Sequence, residues 1–172
     1  AAGLATTIVS SDKDLMQLVR GDVTMLDPMK QRRIGTAAVV ERFGVPPEKV
    51  VDVQALAGDS TDNVPGVPGI GIKTAAELIT TYGDLESLLA RADEIKQPKR
   101  RENLLNFAEQ ARISRQLVLL RDDAPMPLAL DALKTPPRDM DKLIAFLQQQ
   151  EFNRLLSRVR AGGAATQNDT AG

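Results

Sequence analysis

The groups in this chain that can do chemistry are oxygens and cationic nitrogens. Among its 172 residues there is no histidine and no cysteine. That excludes a Ser-His-Asp or Cys-His nucleophile, a disulfide framework, and zinc or haem held through imidazole or thiolate. Chemistry falls instead to carboxylates, lysines, hydroxyls and cations that bind oxygen. Two compact acidic groups have the right composition. Ser11-Asp12-Lys13-Asp14 follows a β-branched run, and Gly58-Asp59-Ser60-Thr61-Asp62-Asn63 opens a Gly/Pro-rich stretch. Asp12 and Asp14 stand just past a strand end, where parallel α/β sheets gather ligands, and at i and i+2 they can share a hard divalent cation. The competing reading is a capping box, in which Ser11 caps a helix and Asp14 reaches back. Asp59 and Asp62, at i and i+3, share one face of a helical turn and suit a metal directly or through water. Their alternative is an Asx-type turn after Gly58. An EF-hand loop is excluded, because its ligand order is absent. Taken together, four aspartates in two clusters favour a metal, and a histidine-free donor set fits Mg²⁺ or Mn²⁺.

A third motif is sharper. Pro65-Gly66-Val67-Pro68-Gly69-Ile70-Gly71-Ile72-Lys73-Thr74 nearly spells a P-loop, but Ile72 stands where lysine is required and a helix rather than a strand precedes it. Nucleotide binding is therefore the weaker reading. A helix–hairpin–helix is the better one. Gly69 and Gly71 permit a tight turn and close approach of a phosphate. Their N–H groups and the start of the Lys73 helix point at it, and Lys73 adds a charge. A plain glycine-rich inter-helix turn is the alternative. A fourth feature is basic: Lys96, Lys99, Arg100, Arg101, Arg112, Arg115 and Arg121 stand against Glu102 and Glu109. It reads as a track for a phosphate backbone or as a solvated helix face.

The elements that must position these groups follow from periodicity. Thr6–Val9 reads as a buried strand, Asp12–Val19 as a helix stopped by Gly21, and Val23–Leu26 as a second strand with a hairpin return over Lys30–Ile34. Strand–helix–strand order predicts α/β architecture with a parallel sheet. Helices are then expected at Ala37–Phe43 (capped by Thr36), Glu48–Ala57, Lys73–Tyr82, Leu85–Ala90, a long Arg101–Leu120, Met140–Gln149 and Phe152–Val159. Residues 161–172 hold one charge and no large apolar group, and read as a flexible linker. The chain is long enough for one cored domain plus a tail. Apolar residues are 42% but aromatics only 3%, so the core is aliphatic. Net charge is −1, which leaves polyanion binding to segregated patches. No run approaches a membrane span, no basic leader is visible, and a cytoplasmic protein is expected. The chain begins without Met and reads as a processed or excised piece.

The motifs Ile8-Val9-Ser10-Ser11-Asp12-Lys13-Asp14-Leu15, Gly58–Asn63 and Pro65–Ala75, in this order and spacing, resemble the 5′ nuclease (flap endonuclease-like) family, in particular the 5′–3′ exonuclease domains joined to bacterial DNA polymerases. The resemblance covers residues 4 to about 160. It implies a partial parallel-sheet nuclease core over 1–44, a mainly helical DNA-binding subdomain with the helix–hairpin–helix over 45–160, and a linker to further polymerase domains over 161–172. It implies divalent-metal hydrolysis of phosphodiesters at 5′ ends and flaps of DNA, in replication and repair. Asp12, Asp14, Asp59 and Asp62 are then the catalytic metal carboxylates. Gly66, Gly69, Gly71, Lys73 and Thr74 are DNA contacts, and the carbonyls of Gly66, Val67 and Ile70 match a K⁺ site. The family's N-terminal Asp, its earlier acidic cluster and its basic arch have no counterpart here, so weak duplex binding and little or no cleavage are expected of this chain alone. The rival reading is a non-catalytic module that binds DNA structure through the helix–hairpin–helix.

Overall fold

The structure, a computed structural model, describes residues 3–166. A three-stranded sheet comes first: β1 (Thr6–Val9), β2 (Val23–Asp27) and β3 (Arg32–Ile34), in the order β1-β2-β3. β1 and β2 run parallel with Ile8 opposite Met25, and β3 returns antiparallel with Ile34 opposite Met25. The sheet is thus mixed, because a hairpin too short for a crossover joins β2 to β3. Asp27 shapes that hairpin: its Oδ1 accepts the N–H groups of Met29 and Lys30. β1 is less covered than its β-branched sequence suggests. Only Ile8 is half-buried, and Val9 is 62% exposed. The strand is an edge, and its outer side pairs with no other described residue.

The segment after β1 is a short 3₁₀ helix, Lys13–Leu18, rather than an α-helix through Val19. Its cap is Asp12, whose Oδ1 accepts the Asp14 N–H at 3.0 Å; Ser10, not Ser11, accepts the Asp12 N–H. The capping reading was right in kind and shifted in register.

Helices build the rest of this unit. They are α1 (Thr36–Phe43), α2 (Val50–Ala57), α3 (Ile72–Tyr82), α4 (Leu85–Ala90), α5 (Pro98–Asn106) and α6 (Ala108–Val118). Gly44 closes α1 in the left-handed region at φ 74°, as a C-terminal glycine should. Thr36 proves to be helical, and Gly35 precedes it without a side-chain cap. Pro47–Lys49 forms a 3₁₀ turn before α2, so that helix starts later than predicted. The long basic helix is two helices, broken at Phe107, whose backbone (φ −112°, ψ 19°) leaves the α region.

α2 is the centre of the core. Val50, Val53, Ala55 and Leu56 have no exposed surface, and α2 packs on both α3 and α6. Phe43, Ile79, Leu88 and Leu104 close around it, so one cluster runs from Met16 and Met25 in the sheet region to Ala111 in α6. It passes without a break through residues 44 and 45, where the sequence suggests a change of architecture. Aliphatic side chains dominate it, as the scarcity of aromatics requires.

The chain divides into two compact units, Ala1–Asp123 and Ala124–Gly172. The second holds α7 (Met140–Gln149) and α8 (Asn153–Thr166). Asp139 caps α7 by accepting the Lys142 N–H, and the Phe146 and Phe152 rings meet edge to face at 6.5 Å. The last helix extends to Thr166, past residue 161, where the scarcity of charge and of large apolar groups predicted a linker to begin. Residues 167–172 of that expected linker lie outside the described residues.

Candidate functional site

Two segments that are far apart in sequence meet beside the end of α2. The first is the Asp12-Lys13-Asp14 start of the 3₁₀ helix. The second is the loop from Gly58 to Val64, which a reciprocal pair of backbone hydrogen bonds closes: Asp59 N–H to Val64 C=O and the reverse, each 2.8 Å. Inside that loop Asp59 Oδ1 accepts the Thr61 N–H, so the Asx-type turn and the acidic cluster coexist in the same residues. Carboxylate oxygens of Asp14, Asp59 and Asp62 lie within 4.8 Å of one another. The structure therefore brings together three of the four predicted aspartates. Asp12 is not in that group; one of its oxygens caps the 3₁₀ helix, and it lines the same concavity of about 320 Å³ with Ser11, Thr61 and Arg42.

The electrostatics of the cluster are set by contact with one lysine. Lys13 Nζ stands 2.5 Å from Asp59 Oδ2 and 3.6 Å from Asp62 Oδ2. The shorter approach covers the buried Asp59 Oδ2, which meets no polar partner other than the Lys13 ammonium. Burial pushes the Asp59 carboxyl up, but Lys13 and the Thr61 N–H together hold it below the usual range. Its charged form survives although the side chain is buried. Lys13 is held above its ordinary value, chiefly by Asp59. Gln54, 2% exposed on α2, donates its amide to Asp14 Oδ1 at 2.6 Å and fixes that carboxylate. Sequence reasoning passed over Gln54. The available signal was a lone amide inside a helix that is otherwise apolar around most of its girth. Arg42 was passed over too. It is exposed, makes no ion pair among the described residues, and lines the concavity beside Asp12 and Asp62.

The donor set is all oxygen, and the buried Asp59 Oδ2 is met only by a cation, the Lys13 ammonium, which fits a hard divalent cation and no soft one. Asp14, Asp59 and Asp62 are the residues that would hold it.

The glycine turn sits directly behind this loop. Gly66 has φ 61° and is buried against Gly58: a Cβ on Gly66 would stand 2.4 Å from the Gly58 nitrogen. The two glycines are where the carboxylate loop and the hairpin cross, and Val67 N–H then docks on the Leu56 carbonyl at 2.8 Å. Gly66, expected among the DNA contacts, is buried at this crossing. Its N–H donates to Ser114 Oγ at 3.2 Å and its carbonyl accepts from Gln110 at 2.6 Å, so both backbone groups are committed inside the protein. The Val67 carbonyl, another predicted K⁺ ligand, accepts the Ile70 N–H. Gly69, Gly71 and Lys73 are exposed, and Thr74 is half-buried in the first turn of α3. α3 has no side-chain N-cap, and Lys73 has no ion-pair partner among the described residues. These groups remain free for an anion.

The basic stretch is mostly spoken for. Arg112 pairs with Glu86 and Glu109, Arg115 with the buried Asp52 at 2.8 Å, Lys99 with Glu102 and Arg121 with Asp123. Arg112 and Arg115 thereby tie α6 to α4 and α2, while Lys96, Arg100 and Arg101 make no ion pair among the described residues.

Comparisons with known proteins agree with this geometry. The family model for the 5′-3′ exonuclease C-terminal SAM fold matches residues 45–141. DNA polymerase I of Rhizobium leguminosarum is 58% identical over 159 residues, which are 92% of this chain and 16% of that protein. The 5′-3′ exonuclease of Aquifex aeolicus is 37% identical over 157 residues, 91% of this chain and 53% of that one. The chain thus spans a sixth to about half of these curated relatives. Among solved structures, T5 5′-exonuclease with bound divalent zinc ions superposes with a TM-score of 0.61 at 25% identity, over 65% of this chain and 42% of that one. The fold, the acidic cluster and the sequence match converge, and the chain belongs to the 5′–3′ exonuclease family.

Proposed function

We propose that this chain is the C-terminal portion of a 5′–3′ exonuclease and 5′-flap endonuclease domain of a bacterial, cytoplasmic DNA polymerase. Its substrate is duplex DNA with a 5′ end or flap, and its partners are the other domains of the same polymerase. The observation that carries the reading is the meeting of Asp14, Asp59 and Asp62 within 4.8 Å, from segments some 45 residues apart, beside a glycine turn that opens a helix.

The roles follow from position. Asp14, Asp59 and Asp62 bind the divalent ion, Mg²⁺ or Mn²⁺, and Asp12 on the rim acts through water. When bound, that ion supplies Lewis-acid chemistry: it neutralises charge on the scissile phosphate and makes water more acidic. Gln54 orients Asp14, so that its carboxylate is set before substrate arrives. Gly69, Gly71, Lys73 and Thr74 at the start of α3 hold a backbone phosphate of the duplex. The carbonyls around Val67 and Ile70 form the K⁺ candidate of the same turn. With part of the family's acidic residues outside this sequence, the chain alone is expected to bind flap DNA weakly and to turn over far below the complete domain.

The test is to place Asp59→Asn in the complete nuclease domain and measure flap cleavage and flap binding in Mn²⁺. Cleavage should be lost and binding kept. Persisting cleavage would contradict the metal assignment and leave the non-catalytic DNA-binding reading.

A further inference from the structure

We propose that the Lys13 ammonium is the resident counter-ion of the carboxylate cluster, so that it and a divalent cation exclude one another there. The inference rests on the metal reading above and adds a residue that competes with the metal. Lys13 lies in the same segment that supplies Asp14, while both of its contacts, Asp59 at 2.5 Å and Asp62 at 3.6 Å, lie in the other. One positive group therefore bridges the two halves of the site. Three carboxylates this close repel each other unless a cation stands among them. Arg42, the other cation on the concavity, makes no ion pair with them. One oxygen of each of two carboxylates is engaged by the protein: Asp59 Oδ1 takes the Thr61 N–H and Asp14 Oδ1 takes the Gln54 amide. Asp59 Oδ2 is the buried oxygen of the cluster, and its one polar partner is the ammonium, which it faces as a ligand oxygen faces an ion.

Seating a metal on Asp59 Oδ2 requires the ammonium to leave. Its side chain is a quarter exposed on a flexible four-carbon stem, so it can swing into solvent without backbone movement. Two consequences follow. One ammonium offsets part of the negative charge of the three carboxylates, and the cluster is formed in the absence of metal. Metal affinity is lowered by the displacement of Lys13, so removing the ammonium should tighten it.

The experiment is a Mn²⁺ titration of this chain followed by electron paramagnetic resonance, on wild type, Lys13→Gln, Lys13→Arg and Asp62→Asn. Lys13→Gln should bind Mn²⁺ about tenfold more tightly, equivalent to about 1.4 kcal/mol. Lys13→Arg, which keeps the charge, should stay near wild type, and Asp62→Asn should bind more weakly. If wild type binds, Asp62→Asn weakens it and Lys13→Gln leaves affinity unchanged or lower, the metal reading stands and the competition proposal fails. Equal tightening by Lys13→Arg and Lys13→Gln would also overturn it, since charge would then be irrelevant. If neither wild type nor Lys13→Gln binds Mn²⁺ saturably, both readings fall.

Discussion

The glycines of the hairpin look interchangeable in the sequence, and the structure assigns them different work. Gly66→Ala meets two separate penalties. Its φ of 61° lies in the left-handed region, which costs a residue with a Cβ roughly 1–2 kcal/mol. The new Cβ would also stand 2.4 Å from the Gly58 nitrogen and 2.7 Å from the Ala57 carbonyl carbon and the Gly58 Cα. All three atoms are backbone, so no side chain can rotate away, and overpacking of this kind costs roughly a further 1–3 kcal/mol. The sum is about 2–5 kcal/mol, or a fall in melting temperature of roughly 4–20 °C for a chain of this size. Gly69→Ala incurs only the conformational part, because its φ is 78° but its nearest atom is Asn103 Nδ2 at 3.7 Å. Gly71→Ala incurs neither, with φ −94° and nothing within 4 Å. Thermal unfolding followed by far-ultraviolet circular dichroism should rank the three variants Gly66, Gly69, Gly71 from most to least destabilised. Duplex binding should show the reverse specificity, with Gly71→Ala weakened through lost access to phosphate while melting like wild type. A Gly66→Ala protein that melts within a degree or two of Gly71→Ala would refute the crossing of the two loops as the fixed point of the site.

Other expectations are simpler. Arg115→Met leaves the buried Asp52 carboxylate without its 2.8 Å partner; because Arg115 itself is 44% exposed, the loss should be about 1–3 kcal/mol rather than the larger figure for a fully buried pair, measured by urea denaturation. Stability without metal should fall at both pH extremes through the Lys13–Asp59 contact. Asp59 is held below its unfolded value of about 3.9, so its contribution is complete above that pH and is lost as acid carries the pH down through the folded value. Lys13 is held above its unfolded value of about 10.4, so its contribution is complete below that pH and is lost as base carries the pH up through the folded value. Melting temperatures of wild type and Lys13→Gln across pH should converge at both ends. Arg42→Gln should weaken flap-DNA binding and reduce the slope of log affinity against log salt by about one, whereas Lys99→Gln, whose charge is already paired, should change neither.

Most of the site was legible because its parts are local in sequence. Asp59 and Asp62 are three residues apart in a closed loop, and Gly69 and Gly71 precede a helix whose apolar spacing is plain. The meeting of Asp14 with that loop was not a local property. It depends on α2 being buried on all sides, which carries Gln54 under Asp14 and delivers Gly58 to the crossing with Gly66. Asp12 shows how a carboxylate at a strand end serves a helix cap with one oxygen, through the backbone N–H of Asp14, a contact that the sequence could not assign in advance. The basic stretch was left open for a related reason: residue charge is visible in the sequence, but the partners Glu86 and Asp52 come from other helices. The single long helix failed at Phe107, where an apolar residue in helical register leaves the α region and periodicity alone gives no warning.

The central claim is that the carboxylates of Asp14, Asp59 and Asp62 hold one divalent cation. Anomalous X-ray diffraction from crystals of this chain soaked in Mn²⁺ tests it most directly. A manganese peak within coordination distance of all three carboxylates, with Lys13 Nζ moved away from Asp59, is the predicted result. Manganese bound elsewhere, or no peak at the cluster while Lys13 keeps its contact at saturating Mn²⁺, would contradict it.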